Sequence, residues 1–134
     1  MKKDIHIPTV EGVQIVVARE KNELNQDIWQ VYLVNKNDFP IGRVLITSQG
    51  FYGEGEEEVK TSVLRHFIGD VEAKSFALIE PIDESVFRLN NEYWVSYWVD
   101  NQLFDKRFLF VPDSIVEANL TYISILEKEG ILHE

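Results

Sequence analysis

The stretch Glu92–Val111, EYWVSYWVDNQLFDKRFLFV, decides the fold. Two runs rich in aromatic and β-branched residues flank Asp100-Asn101. Such residues suit a pleated, half-buried surface. Asp and Asn both tolerate positive φ, which a type I′ hairpin turn requires at its two central positions. A two-residue turn also fixes the register. It sets Val99 opposite Gln102, Trp98 opposite Leu103, Tyr97 opposite Phe104 and Ser96 opposite Asp105. Further along, Val95 faces Lys106, Trp94 faces Arg107 and Tyr93 faces Phe108. Side chains alternate with a period of two. Tyr93, Val95, Tyr97, Phe104 and Phe108 therefore share a core face. Trp94, Ser96, Trp98, Leu103, Asp105 and Arg107 share the other, which mixes aromatic and polar groups.

The same β pattern extends outward from the hairpin. Gly12–Arg19, Ile28–Asn35 and Ile41–Ser48 are β-branched runs separated by the polar clusters Glu20–Asp27 and Lys36-Asn37-Asp38, an antiparallel meander. Gln49–Glu58, QGFYGEGEEE, reads as a flexible acidic loop. Val59–Ile68 is open between two readings. Its apolar residues recur every four positions, as in a helix, but its Thr, Ser, Val, His, Phe and Ile content disfavours one; strand is preferred. Lys74–Glu80 is a strand stopped by Pro81. Short helices are expected at 83–89, where Asp83 can cap, and at 114–119, where Ser114-Ile115-Val116-Glu117 has the S-x-x-E form of a capping box. Thr121–Leu132 reads as a final edge segment or an extended cover. The expected fold is α+β, mostly β: a single strongly twisted antiparallel sheet of about six or seven strands, curled toward a half-barrel in one variant, with two short helices. One domain spans 1–134, with flexible ends at about 1–8 and 130–134.

Composition narrows function. The 134 residues suit one domain, by a soft prior of roughly 100–200 residues per domain. With no Cys, disulfides, thiolate metal sites and cysteine catalysis are excluded. A net charge of -10 opposes phosphate backbones and anionic membranes, so no nucleic-acid or membrane partner is expected. The N-terminal Lys2-Lys3 is followed by no apolar run, and no stretch approaches the roughly 20 apolar residues of a membrane span. A cytoplasmic location is expected.

Candidate chemistry is sparse. Nucleophile-elbow, dinucleotide and Walker motifs are all missing, and no cofactor is implied. Glu54, Glu56, Glu57 and Glu58 are weak metal candidates, since hard cations take oxygen ligands; a hydrated acidic loop is the preferred reading. His66 is the one histidine expected in the body of the fold. It is a weak candidate for acid–base catalysis, with Asp70 or Glu72 beside it. The main site reading is the aromatic face. Trp94, Trp98, Leu103 and Arg107 have the composition of an interface or ligand surface, and Trp94 can form a cation–π pair with Arg107. The alternative is that the short helices cover that face.

Lys60–Phe67, Lys74–Asp83 and Asn90–Phe110 resemble a small uncharacterised family from Bacteroidetes. Some of its members carry an automatic label as phenylalanine–tRNA ligase subunits. The resemblance runs from about Val10 to Leu132. The label is unsupported here: the chain has no ATP-site motif, little room for a catalytic domain, and the wrong charge sign for tRNA. The family implies no activity and no catalytic residues. The resulting expectation is a non-catalytic interaction or accessory protein, a homodimer or the partner of another protein, acting through its aromatic face. The alternative is a small-molecule-binding or enzymatic curled sheet, with a lid at 50–58 and His66 as acid or base.

Overall fold

The computed structural model describes residues 9–134. Ten strands build two antiparallel sheets. They are β1 (Val13–Lys21), β2 (Asp27–Asn35), β3 (Ile41–Tyr52), β4 (Val59–Lys60), β5 (Leu64–Val71), β6 (Ser75–Pro81), β7 (Asn90–Val99), β8 (Gln102–Phe110), β9 (Thr121–Ile123) and β10 (Lys128–His133). The first sheet has the order β6-β2-β1-β10-β9; the second has β4-β3-β7-β8, with β5 also paired to β3. The single sheet expected from sequence is thus corrected to two sheets of five strands each. The chain changes sheet four times, between β2 and β3, β5 and β6, β6 and β7, and β8 and β9.

The two inner faces share one core. Ile15, Val17, Val31 and Leu33 from the first sheet join Val44, Ile46, Tyr93, Val95 and Phe108 from the second. The first sheet is apolar on its outer face as well. There Val16, Ala18, Tyr32 and Val34 are covered by Ile123 and Leu126 at the β9–β10 turn. This is why β1 reads as a nearly unbroken apolar run: a strand buried on both faces loses its alternation.

Buried Asn35 holds one sheet crossing to the other. Its Nδ2 donates to the carbonyls of Phe39 and Glu72, each at 3.0 Å, and of Val71 at 3.3 Å. Its Oδ1 accepts from the Asn37 amide at 3.1 Å. A buried amide needs all of these partners.

The hairpin register is the expected one from Val99↔Gln102 to Tyr93↔Phe108. Its turn differs: of the central pair only Asp100 has positive φ, 55°, so it is not type I′. The segment 59–68 resolves as strand β4 and the start of β5, broken at 61–63, with Ile46 opposite His66 and Leu45 opposite Phe67. β3 runs four residues beyond Ser48, because Gln49, Gly50 and Phe51 pair with Glu92, Asn91 and Asn90.

The two expected helices are only single 3-10 turns, at Glu84–Val86 and Glu117–Asn119. Asp83 caps the first by accepting from the Ser85 amide. The capping box is not formed: the Ser114 hydroxyl donates to the Val111 carbonyl, and the second turn has no side-chain cap. Thr121–Leu132 is not a single edge segment. β10 lies inside the first sheet between β1 and β9, so 130–134 is not a loose end. The expected flexible end at 1–8 lies outside the described residues. Among the described residues, no helix is long and apolar enough to cross a membrane.

Candidate functional site

Two places in this fold have the makings of a site: the outer face of the second sheet, and a cleft between the sheets.

Among the described residues, nothing covers the outer face. Leu45, Phe67, Trp94 and Leu103 lie on it with 42%, 69%, 43% and 46% of their surface exposed. Trp94 and Leu103 are joined there by half-buried Trp98 and exposed Arg107, so the four residues singled out from sequence do share one surface. The 3-10 turns do not cover it. Glu84 of one accepts from Trp29 Nε1 at 3.0 Å, and Glu117 of the other pairs with Arg19 at 3.4 Å; both turns therefore sit against strands of the first sheet.

The expected Trp94–Arg107 cation–π pair is not made. Trp94 Nε1 donates instead to Asp105, and the Arg107 guanidinium to Glu92. The nearby carboxylates take both donors because a charge-assisted hydrogen bond outweighs a cation–π contact. The aromatic–cation contact on this face is Arg43 over Trp98, 4.9 Å from the ring centroid.

The cleft, of about 340 Å³, opens where β3 and β7 face the end of β6. At its base is Glu80, whose side chain is only 12% exposed. A bulge puts it there. β6 pairs with β2 as Leu78↔Tyr32 and then Glu80↔Val31, leaving Ile79 without a partner. That extra residue turns Glu80 to the inner face, alongside core-facing Val31. Bulges re-aim side chains in this way.

Three side chains of the second sheet meet the carboxylate. Ser48 Oγ donates to Oε1 at 2.7 Å, Tyr93 Oη donates to Oε2 at 3.0 Å, and His66 Nε2 lies 2.6 Å from Oε1. With Glu80 ionised, Nε2 must carry the hydrogen. Ser48 and Tyr93 are direct cross-strand partners, and His66 stands opposite Ile46, two residues along β3. Burial, with the charge and hydrogen bond of Glu80, pushes the Tyr93 hydroxyl well above its ordinary pKa of 10.0. Tyr93 is thus a fixed neutral donor.

His66 is therefore placed with an acidic partner, but not one named from sequence. Asp70 instead accepts from the Arg43 amide at 3.2 Å, and the partner is Glu80, from the opposite sheet. The lid expectation also changes. Gly50, Phe51 and Tyr52 are the end of β3, and of residues 50–58 only Gly50 lines the cleft. Glu54, Glu56, Glu57 and Glu58 surround an exposed 3-10 turn, with Glu58 paired to Lys60 at 2.8 Å. Among the described residues, no three acidic or histidine side chains converge as a metal site.

Comparison with protein-family models, with curated proteins and with solved structures finds no match.

Proposed function

We propose that this protein is a non-catalytic interaction or accessory module that self-associates as a two-fold dimer through the outer face of its second sheet. The observation that carries this reading is the open cluster of Leu45, Phe67, Trp94 and Leu103. Contiguous exposed apolar surface rimmed by polar groups marks an interaction site, and Trp and Arg are frequent anchors there.

Charge argues for a second copy as the occupant. The face carries Arg43, Arg65 and Arg107 against Glu92 and Asp105, so it is close to neutral in a chain of net charge -10. Two identical copies repel least where their surfaces are least acidic. Both charge signs on one patch also allow the self-complementarity a two-fold interface requires. A cytoplasmic location, and membership in the Bacteroidetes family that the sequence resembles, belong to the same proposal.

Sedimentation velocity of the wild type with the Phe67→Asp and Trp98→Asp variants tests it. A wild-type dimer and monomeric, folded variants are expected. Phe67 is well exposed, so Phe67→Asp separates loss of assembly from loss of folding. A wild type that stays monomeric at its highest soluble concentration, or a Phe67→Asp variant that stays dimeric, overturns the reading.

A further inference from the structure

The inter-sheet cleft has a hydrogen-bonding polarity of its own. A carboxylate offers about four acceptor positions. At Glu80, Ser48 and His66 use two on Oε1, and Tyr93 uses one on Oε2, which leaves one on Oε2. The Ser48 and Tyr93 hydroxyls, having donated to Glu80, retain only acceptor capacity.

The amides of the lining are committed in the same sense. Asn91 Nδ2 donates to the Val86 carbonyl at 2.9 Å and the Leu89 carbonyl at 3.2 Å, so its oxygen is left over. Gln49 Nε2 donates to the Thr61 carbonyl at 3.2 Å. The Thr61 hydroxyl donates to the Ser62 carbonyl at 3.1 Å. Most of the side-chain donors are thus turned onto protein carbonyls or onto Glu80; one N–H of Gln49 is not. What faces the cleft is mainly acceptor; the Ser62 hydroxyl at the rim can still do either. Among the described residues no Lys or Arg lines the cleft, while Leu64, Ile82 and Val86 give it an apolar wall.

The other shielded carboxylate, Glu20, also has three partners. Glu20 accepts from Gln30 at 2.5 Å, from Tyr32 at 3.1 Å and from the Lys128 ammonium at 2.8 Å. One of the three is an internal cation, Lys128. At Glu80 the basic partner is His66, and no Lys or Arg pairs with it among the described residues.

We propose that this cleft binds a small organic cation, a primary ammonium on a short apolar chain, with the ammonium at Glu80 Oε2 and the chain against Leu64, Ile82 and Val86. An ammonium has three donors and no acceptor, the complement of this lining. A partly desolvated carboxylate binds it more strongly than an exposed one does. Anions are opposed by both Glu80 and the net charge of the chain.

The test is an amide-resolved NMR titration of the full chain with n-butylammonium chloride at constant ionic strength. Butan-1-ol and sodium butyrate are the neutral and anionic controls. Saturable shifts at Gly50, Thr61 and Asn91 are expected with the ammonium alone, weakening about tenfold or more in Glu80→Gln. Glu57→Gln, in the exposed acidic turn, is expected to bind like the wild type. Shifts that never saturate, equal shifts with butan-1-ol or butyrate, or equal weakening in Glu57→Gln overturn the proposal. If Glu80→Gln does not fold, the three-probe comparison on the wild type still decides. The outcome is independent of assembly: a monomer that binds the ammonium refutes the dimer and leaves the cleft assignment standing.

Discussion

Replacing Tyr93 and Tyr97 by Phe, one at a time, separates the Glu80 network from plain burial. The two tyrosines stand four residues apart on β7, both face the core, and both are almost wholly shielded from solvent. Only Tyr93 has work for its hydroxyl, the 3.0 Å bond to Glu80; that of Tyr97 makes no hydrogen bond among the described residues. A hydrogen bond to a charged group contributes roughly 1.5–3 kcal/mol. Tyr93→Phe should therefore cost about 2 kcal/mol at pH 8, and Tyr97→Phe less than about 0.5 kcal/mol. Alkali adds an independent check. Burial pushes the Tyr97 hydroxyl up to about 12, while Tyr93 goes well above its ordinary value through burial and Glu80. Folding withholds these ionisations. Stability is therefore intact below the unfolded-state pKa of about 10 and falls as pH rises past it, by about 1.4 kcal/mol per tyrosine at pH 11. Each Phe variant lacks one such contribution, so each should lose about 1.4 kcal/mol less than the wild type between pH 8 and pH 11. Urea unfolding of the three proteins at both pH values, followed by tryptophan fluorescence, gives all six numbers. Equal costs for the two variants at pH 8 would refute the role assigned to Glu80. An alkaline loss unchanged in both variants would refute the burial of the two hydroxyls.

Two further substitutions test the frame that presents the site. Asn35→Leu keeps the branched shape but strips partners from three carbonyls and one amide; at roughly 1 kcal/mol per hydrogen bond it should destabilise by about 3–4 kcal/mol in urea unfolding. Gly130→Ala would bring a Cβ within 2.6 Å of Val16 Cγ1 and 3.0 Å of the Val17 carbonyl oxygen. That crowding between β10 and β1 should cost about 1–3 kcal/mol, read as a lowered thermal midpoint.

The parts of the fold that a sequence carries are those set by neighbours in the chain. The β7–β8 register follows from a two-residue turn, and alternation then sorts its faces. The strand ends near Lys36-Asn37-Asp38 and Pro112 were legible for the same reason. The division into two sheets was not. Lys36–Pro40 passes from one sheet to the other, yet in composition it resembles a turn that reverses within a sheet. What makes it a crossing is Asn35, whose partners at Val71 and Glu72 lie 36 and 37 residues away. β10 pairs with β1 from the far end of the chain, Val17 with Ile131, and no local pattern encodes that choice. The expected helices shrank to 3-10 turns for a related reason. Capping residues mark where a helix can begin, but too few apolar residues follow at helical spacing to extend it.

The two site elements differ in legibility for one physical cause. The outer face obeys strict alternation, so Trp94, Trp98, Leu103 and Arg107 could be grouped from their numbers alone. Glu80 breaks alternation. In KSFALIEP a period of two sends Ser75, Ala77 and Ile79 inward and Phe76, Leu78 and Glu80 outward, which would leave Glu80 a solvated charge on the outer face. The unpaired residue at Ile79 reverses the parity, so Ile79 and Glu80 both face in. A bulge of this kind gives up ladder pairing, and here it also buries a carboxylate, two costs with no return in apolar burial. The protein offsets them with donors drawn from three strands of the opposite sheet, Ser48 on β3, His66 on β5 and Tyr93 on β7. A purely structural tie between the sheets could be made more cheaply by an apolar residue at position 80, as replacements of buried ion pairs by hydrophobic residues show. A charge retained at this expense, beside an open cleft and with one acceptor position unfilled, is more economically explained by a ligand than by the fold. Glu80→Leu alone would strand the Ser48 and Tyr93 hydroxyls, so the separating variant combines Glu80→Leu with Ser48→Ala and Tyr93→Phe: a stability equal to or above the wild type, with the Phe67 face and the assembly unchanged, would mark Glu80 as kept for binding, whereas a loss would mark it as a structural tie.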